Sequence, residues 1–139
     1  MKVRSSLLVV LVIGSAITMA SRTAFAEAYL YEVLAKPAYL KSWNALILGE
    51  ENVDDWLAHY AKTKNGPAGA GIGVKLGTTR YQINSVCKTH DCGNNQFFVL
   101  FSANGAKAWG VLLTNMKGER FFGNPDEEKR QALRTAAHQ

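Results

Sequence analysis

The segment TTRYQINSVCKTHDCGNNQFFVLFS, residues 78–102, decides the fold. Over residues 78–86 apolar and polar side chains alternate, with Tyr81 and Ile83 on one face and polar residues at positions 80, 82 and 84 on the other. Because successive side chains of a strand point to opposite faces, this alternation predicts a half-buried β-strand. Residues 96–102 form a continuous apolar run, which is typical of a central strand.

The strand pattern continues after this segment. Asn104-Gly105 is a strong hairpin turn, because both residue types tolerate positive φ. Residues 107–114 are predicted to return as the next strand, residues 115–118 to make another turn, and residues 119–122 to form a last short strand. The pattern therefore predicts neighbouring antiparallel strands joined by short turns.

Helices are expected on both sides of the strands. Pro37 suits the first turn of a helix, where its missing N–H is not needed, and Gly49 suits its end. Apolar residues follow Pro37 at helical spacing: Leu40, Trp43 and Ile47. Residues 124–126, Asn-Pro-Asp, are interpreted as the N-cap, N1 and N2 positions of a closing helix, and its Leu133 is expected to lie on the sheet.

The region between the first helix and the strands is less regular. Residues 53–61 are predicted to form a second short helix, and residues 65–73, rich in Gly, Ala and Pro, a loop. Residues 74–76 are predicted to be a short strand. The whole pattern indicates an α+β domain, an antiparallel meander of about five strands flanked by an N-terminal and a C-terminal helix.

The first 26 residues have the three parts of a cleavable secretory signal. Two basic residues precede an apolar stretch, residues 7–20, and Ala24-Phe25-Ala26 supplies the small residues that signal peptidase reads. The apolar run is shorter than the ~20 residues that a membrane span needs, and Arg22 interrupts it. We therefore expect residues 1–26 to be removed and residues 27–139 to be one exported domain without a membrane span.

Removal of the leader changes the charge of the protein. The precursor carries 16 basic and 11 acidic residues, a net charge of +5. Three of the basic residues lie in the leader, which leaves 13 against 11 and a net charge of +2. The remaining Lys and Arg are scattered, whereas nucleic-acid binding usually needs them clustered on one face. Nucleic acid is therefore not an expected partner.

The hexapeptide between the two best-predicted strands is the most informative segment. Cys87 and Cys92 are the only cysteines, and in an oxidising compartment such an isolated close pair predicts a disulfide. A ring of six residues stabilises the fold by only roughly 2 kcal/mol, but it restricts the residues inside it before any partner arrives. The ring would present four polar side chains at a hairpin tip: Lys88, Thr89, His90 and Asp91.

The ring is compatible with several functions. Metal binding is disfavoured because six residues cannot readily wrap a tetrahedral site, and redox catalysis because oxidoreductases use Cys-x-x-Cys at a helix start. The ring either staples a hairpin and leaves its polar side chains to solvent, or recognises a partner through His90. The residues alone leave these two interpretations open.

The sequence does not favour an enzyme. His90 and Asp91 are neighbours, but no Ser or Cys stands out as a nucleophile, and His59 and His138 have no evident partner. One acidic cluster precedes the loop and is interpreted as a solvated face: Glu50, Glu51, Asp54 and Asp55. We expect no catalytic residues, no metal and no cofactor.

The loop and its flanks resemble the Ivy family, the bacterial inhibitors of vertebrate lysozyme. That family carries a signal peptide, a leading helix, an antiparallel sheet and a loop of the form CKPHDC, and this chain has CKTHDC followed by Gly93 and an apolar strand. The approach to the loop, residues 80–86, is also similar.

The resemblance implies a periplasmic inhibitor of c-type lysozyme in a Gram-negative bacterium. The ring closed by Cys87 and Cys92 would enter the active-site cleft of the enzyme, with His90 between the two catalytic carboxylates. Asp91 would offer acceptors to donors on the cleft wall, and Lys88 would lie at the rim.

One departure from the family concerns position 89. Thr89 stands where the family has proline, and since proline fixes φ, threonine predicts a looser ring. The target is therefore open. Alternatives are the lytic transglycosylases of the bacterium itself, which have a related cleft, or another envelope molecule bound without lysozyme inhibition. Family members occur as dimers and as monomers, and the sequence does not decide between a homodimer and a monomer.

Overall fold

The computed structural model describes residues 27–139, and the predicted leader, residues 1–26, lies outside the described residues. The described chain forms a five-stranded sheet in which every strand is antiparallel to its neighbours and the spatial order follows the chain order. The strands are β1 Ala68–Leu76, β2 Thr79–Cys87, β3 Asn95–Ser102, β4 Ala108–Thr114 and β5 Gly118–Phe122. The predicted meander is confirmed, with the apolar strand β3 at its centre.

Helices lie before and after the sheet in the chain. They are α1 Leu30–Val33, α2 Pro37–Leu48, α3 Asp55–Ala58, α4 Tyr60–Thr63 and α5 Glu127–Ala137. The prediction for α2 is confirmed, since Pro37 occupies its first turn and Gly49 follows its last residue. The single helix predicted over residues 53–61 is two short helices that meet at His59. Among the described residues, no helix combines the length and the hydropathy that crossing a bilayer requires.

Each face of the sheet carries its own apolar core. On one face, helices α1 to α4 supply buried side chains, and the ring of Trp43 meets that of Phe97 edge-on, 5.6 Å between centroids. Phe97 in turn lies 5.1 Å from Phe122. On the other face, Leu133 of α5 is fully buried against Leu100 and its neighbours. The expected position of Leu133 on the sheet is confirmed.

Strand β2 is buried on both faces over its middle residues, which differs from the predicted half-buried strand. Ile83, Gln82 and Asn84 are 2%, 5% and 1% exposed. The two amides are hydrogen-bonded in series, because Gln82 Nε2 donates to Asn84 Oδ1 at 2.8 Å and Asn84 Nδ2 donates to the Ala28 carbonyl at 2.7 Å. Helices on both faces of the sheet therefore turn a polar strand face into an internal hydrogen-bonded layer.

Strand β1 corrects the loop predicted over residues 65–73, because Ala68, Gly69, Ile72 and Gly73 pair with β2, with a shift of register between Gly69 and Ile72. Because this segment is rich in glycine, its composition did not indicate a strand. A side chain at Gly71 would lie 2.9 Å from the Ala28 carbonyl oxygen and from the amides of Gln82 and Asn84. Glycine is needed here for close approach of the backbone, and not for the turn that its frequency suggested.

Helix α5 begins later than predicted. Asp126 is the N-cap, and its carboxylate accepts a hydrogen bond from the Lys129 N–H at 3.0 Å. Asn124, the expected N-cap, adopts a φ of +49°, and Pro125 is buried ahead of the helix. The Asp126 carboxylate also pairs with the Lys129 ammonium, and its negative charge suits the N-terminal end of the helix dipole.

Candidate functional site

The loop between β2 and β3 lies at one end of the sheet, between two interior strands. Cys87 pairs with Gln96 in the ladder, and the Lys88 N–H donates to the Asn95 carbonyl at 3.0 Å, so the strands hold the loop up to its base. Cys87 and Cys92 form the predicted disulfide, with their Cα atoms 4.8 Å apart. The expected hairpin tip is therefore present and covalently closed.

A tight turn places His90 at the apex of this loop. The Asp91 N–H donates to the Lys88 carbonyl at 3.0 Å, and His90 has a φ of +63° while Thr89 stays outside the left-handed region. This φ pattern is that of a type II turn. A left-handed backbone costs a residue with a side chain roughly 1–2 kcal/mol. His90 is exposed, so the turn directs the imidazole into solvent and not toward the sheet.

Asp91 holds the second half of the loop from within. Its Oδ1 accepts from Asn94 Nδ2 at 2.6 Å, and its Oδ2 accepts from Asn95 Nδ2 at 2.7 Å. Its carbonyl accepts from the N–H groups of the same two residues, at 3.1 and 3.0 Å. Each carboxylate oxygen of Asp91 therefore accepts a hydrogen bond from within the loop. Asp91 stabilises the loop and is also partly exposed on its surface.

The remaining loop residues differ in exposure. Lys88 is exposed. Thr89 is half-buried, and its hydroxyl donates to Asn65 Oδ1 at 2.9 Å. Of the four residues predicted to be displayed, Lys88 and His90 are exposed, whereas Thr89 and Asp91 are half-buried and also hold the loop in place.

The loop is also joined to the turn between β4 and β5. Asn115 Nδ2 donates to Asn94 Oδ1 at 2.5 Å, and the Asn115 N–H donates to the Asn94 carbonyl at 3.2 Å. Two hydrogen bonds therefore join the neighbouring turns at this end of the sheet.

Four asparagines at this site were not predicted from the sequence: Asn65, Asn94, Asn95 and Asn115. Asn94 and Asn95 follow Asp91 at three and four residues, and that local spacing is a signal for side-chain closure of a turn. The contacts of Asn65 and Asn115 are 24 and 21 residues away in the chain and leave no such local signal.

The described residues contain no group of three or more His, Cys, Asp or Glu side chains that could hold a metal ion. His59 Nδ1 lies 2.9 Å from the Asp55 carbonyl, which uses that nitrogen in a local contact. Glu50, taken for part of a solvated face, instead accepts from the Gly123 N–H at 3.0 Å and pairs with Arg120 at 3.3 Å. The carboxylates of Asp91 and Glu50 thus have structural partners.

Comparison with known proteins decides the family. The family model described as "Inhibitor of vertebrate lysozyme (Ivy)" matches residues 38–137. A protein of Pseudomonas aeruginosa named "Inhibitor of vertebrate lysozyme" is 30% identical over 142 residues, which covers 93% of this chain and 90% of that protein. The chain belongs to the Ivy family. An uncharacterized Yersinia pestis protein is also 30% identical, over 96 residues that cover 69% of this chain and 60% of that protein.

The Ivy match includes every strand of the sheet, the Cys87–Cys92 loop and all of α5. The family model and the Pseudomonas aeruginosa relative are both named as lysozyme inhibitors, which confirms the prediction that this chain is an inhibitor and not an enzyme.

Proposed function

We propose that this protein inhibits c-type lysozyme in the periplasm of a Gram-negative bacterium by inserting the Cys87–Cys92 loop into the active-site cleft. The observation that carries the proposal is the exposed imidazole of His90 at the apex of a covalently closed turn. Residues 1–26 would direct export and be removed before the inhibitor acts.

The chemistry of the target suits an imidazole. A retaining glycosidase keeps two carboxyl groups ~5–5.5 Å apart, one as acid and one as nucleophile. A protonated imidazole between them donates one N–H to each, and such charge-assisted hydrogen bonds are stronger than neutral ones. The cleft excludes water, which strengthens these bonds further. His90 would occupy the catalytic carboxylates and block the cleft to substrate.

The loop is ordered before the enzyme binds, and this preorganisation favours tight binding. Each rotamer-rich side chain that is immobilised on binding costs about 0.5–1.5 kcal/mol, so a loop ordered in advance keeps affinity that a free loop would lose. The disulfide closes the ring, the strands hold its base, and Asp91 braces its second half. The left-handed backbone of His90 is thereby maintained without help from the enzyme.

The other displayed residues have smaller roles. Lys88 is exposed beside the turn and would lie at the rim of the cleft, where a screened charge contributes little. Asp91 keeps lone pairs that are not used in the loop and would accept from donors on the cleft wall. His90 therefore carries most of the proposed binding energy.

A turbidity assay tests this function. The full-length gene is expressed in a Gram-negative host, and the protein is recovered from the periplasmic fraction, with Glu27 expected as its first residue. Lysis of bacterial cell walls by c-type lysozyme should slow in proportion to added protein. Undiminished lysis at a large molar excess would contradict the proposal.

Two parallel assays distinguish the alternatives. Inhibition of a lytic transglycosylase without inhibition of lysozyme would identify control of the bacterium's own cell-wall enzymes as the function. Inhibition of neither enzyme would favour an envelope-binding protein that keeps the Ivy fold.

A further inference from the structure

Asn65 contacts the loop from outside the disulfide ring. Its Oδ1 accepts a hydrogen bond from the hydroxyl of Thr89 at 2.9 Å, across 24 positions of the chain. Asn65 belongs to the segment between α4 and β1, so this bond joins the turn that carries His90 to a separate part of the fold.

The segment that contains Asn65 is itself fixed against the end of β2. The Cys87 N–H donates to the Pro67 carbonyl at 3.0 Å, and the Asn65 N–H donates to the Thr63 hydroxyl at 3.3 Å. Gly66 has a φ of +142°, and a side chain there would lie 2.5 Å from the Cys87 carbonyl oxygen. Glycine is needed for this approach, and it keeps the segment close to the loop.

A groove lies between the first half of the loop and the short helices α3 and α4. This groove of about 320 Å³ separates Lys88 and Thr89 from Trp56 and His59 of the short helices. The turn therefore has room to move toward α3 and α4. The bond between Thr89 and Asn65 connects the two walls of this groove.

We infer that Asn65 is a positioning residue of the inhibitory loop, which holds the turn through Thr89 so that His90 points away from the fold. The inference rests on the proposed function. The disulfide fixes the inside of the ring, Asp91 fixes its second half, and Asn65 fixes its first half. Without the bond the turn would sample other orientations, and the apparent affinity would fall with the fraction that can bind.

A double-mutant cycle in the full chain tests this inference. Asn65→Ala and Thr89→Val are each expected to raise the inhibition constant against c-type lysozyme about three- to tenfold, by lowering that fraction. The inhibition constant of the double variant should not exceed that of the single variant that inhibits more weakly, because both changes remove the same hydrogen bond. Thr89→Ser keeps the hydroxyl and should stay within about twofold of wild type.

Thr79→Val is the matched control, since Thr79 is exposed at the opposite end of β2. It should leave the inhibition constant unchanged. A wild-type inhibition constant for Asn65→Ala would overturn the inference. The inference would also be overturned if the increases in inhibition constant caused by the two single substitutions multiplied in the double variant.

A second measurement does not depend on lysozyme. The ¹⁵N order parameter of the His90 amide in the free protein should fall in Asn65→Ala and Thr89→Val, while the melting temperature stays unchanged. An unchanged order parameter would overturn the positioning role, even if inhibition weakened, because Asn65 would then act by direct contact. If wild type inhibits no cell-wall enzyme, the proposed function fails, and the order parameter alone decides whether Asn65 holds the turn.

Discussion

The Asp91 N–H lies 3.0 Å from the Lys88 carbonyl oxygen, and this hydrogen bond closes the turn that carries His90 at its apex. The turn requires a positive φ at its third residue, and His90 supplies it with a φ of +63°. Histidine is among the residues that adopt this conformation more often than most, although it remains unfavourable. The disulfide ring, the hydrogen bonds of Asp91 and the strands β2 and β3 together maintain this conformation.

Removal of the disulfide should weaken inhibition without unfolding the domain. In the variant Cys87→Ala/Cys92→Ala the two apolar cores are intact, and a ring of six residues contributes only roughly 2 kcal/mol to stability. We expect a cooperative unfolding transition at lower denaturant concentration and a higher inhibition constant. Urea unfolding and the turbidity assay check both effects. Loss of the folded state, or inhibition equal to wild type, would contradict the account.

Loss of the Asp91 carboxylate should loosen the second half of the loop. Asp91→Ala removes the acceptors of the Asn94 and Asn95 amides, and since these groups reach water we expect a stability loss of only about 1 kcal/mol. Inhibition should weaken about tenfold, which corresponds to roughly 1.4 kcal/mol. Glu128→Ala, on the exposed face of α5, is the matched loss of a carboxylate.

Equal inhibition constants for Asp91→Ala and Glu128→Ala would remove Asp91 from the account. A stability loss without any loss of inhibition would restrict Asp91 to the folding of the hairpin. Thermal unfolding and inhibition measured on the same preparations distinguish these results.

Tyr60 should make the protein sensitive to alkaline pH. Its side chain is fully buried, and its hydroxyl has no hydrogen-bond partner among the described residues. Burial, with a smaller effect of Tyr31, raises the pKa of Tyr60 from 10.0 to about 12. The unfolded chain releases this proton at lower pH than the folded chain, so stability is intact below pH 10 and falls as pH rises toward 12.

The variant Tyr60→Phe checks this pH dependence. It lacks the titrating group and should lose less stability than wild type between pH 10 and 12, by up to roughly 2–3 kcal/mol. Near neutral pH it should be at least as stable as wild type, because it removes an unpaired buried hydroxyl. Parallel loss of stability in the two proteins across this range would refute the assignment to Tyr60.

Local patterns in the sequence were enough to predict the centre of the fold. The alternation around Ile83, the apolar run of β3 and the turn at Gly105 are each determined by neighbouring residues, and they specify three adjacent strands and the position of the loop. The disulfide was predictable for the same reason, since Cys87 and Cys92 have only one another to pair with.

The features that the sequence did not predict depend on distant contacts. The backbone of Ala28 approaches β1 at Gly71. The same segment, which precedes α1, covers the side chain of Asn84 and accepts a hydrogen bond from it. The bond between Asn65 and Thr89 joins two segments whose proximity is set by the whole sheet. None of these contacts leaves a periodicity or a local motif.

The most direct test of the account is the inhibition constant of His90 variants against c-type lysozyme. His90→Ala removes the imidazole, and His90→Asn removes it while keeping a residue type that tolerates the left-handed backbone. Because His90 is exposed, both variants should keep the circular dichroism spectrum and cooperative unfolding of wild type. Both should inhibit more than about a hundredfold more weakly, a loss of at least roughly 3 kcal/mol. Inhibition by either folded variant at the wild-type level would contradict the role of His90.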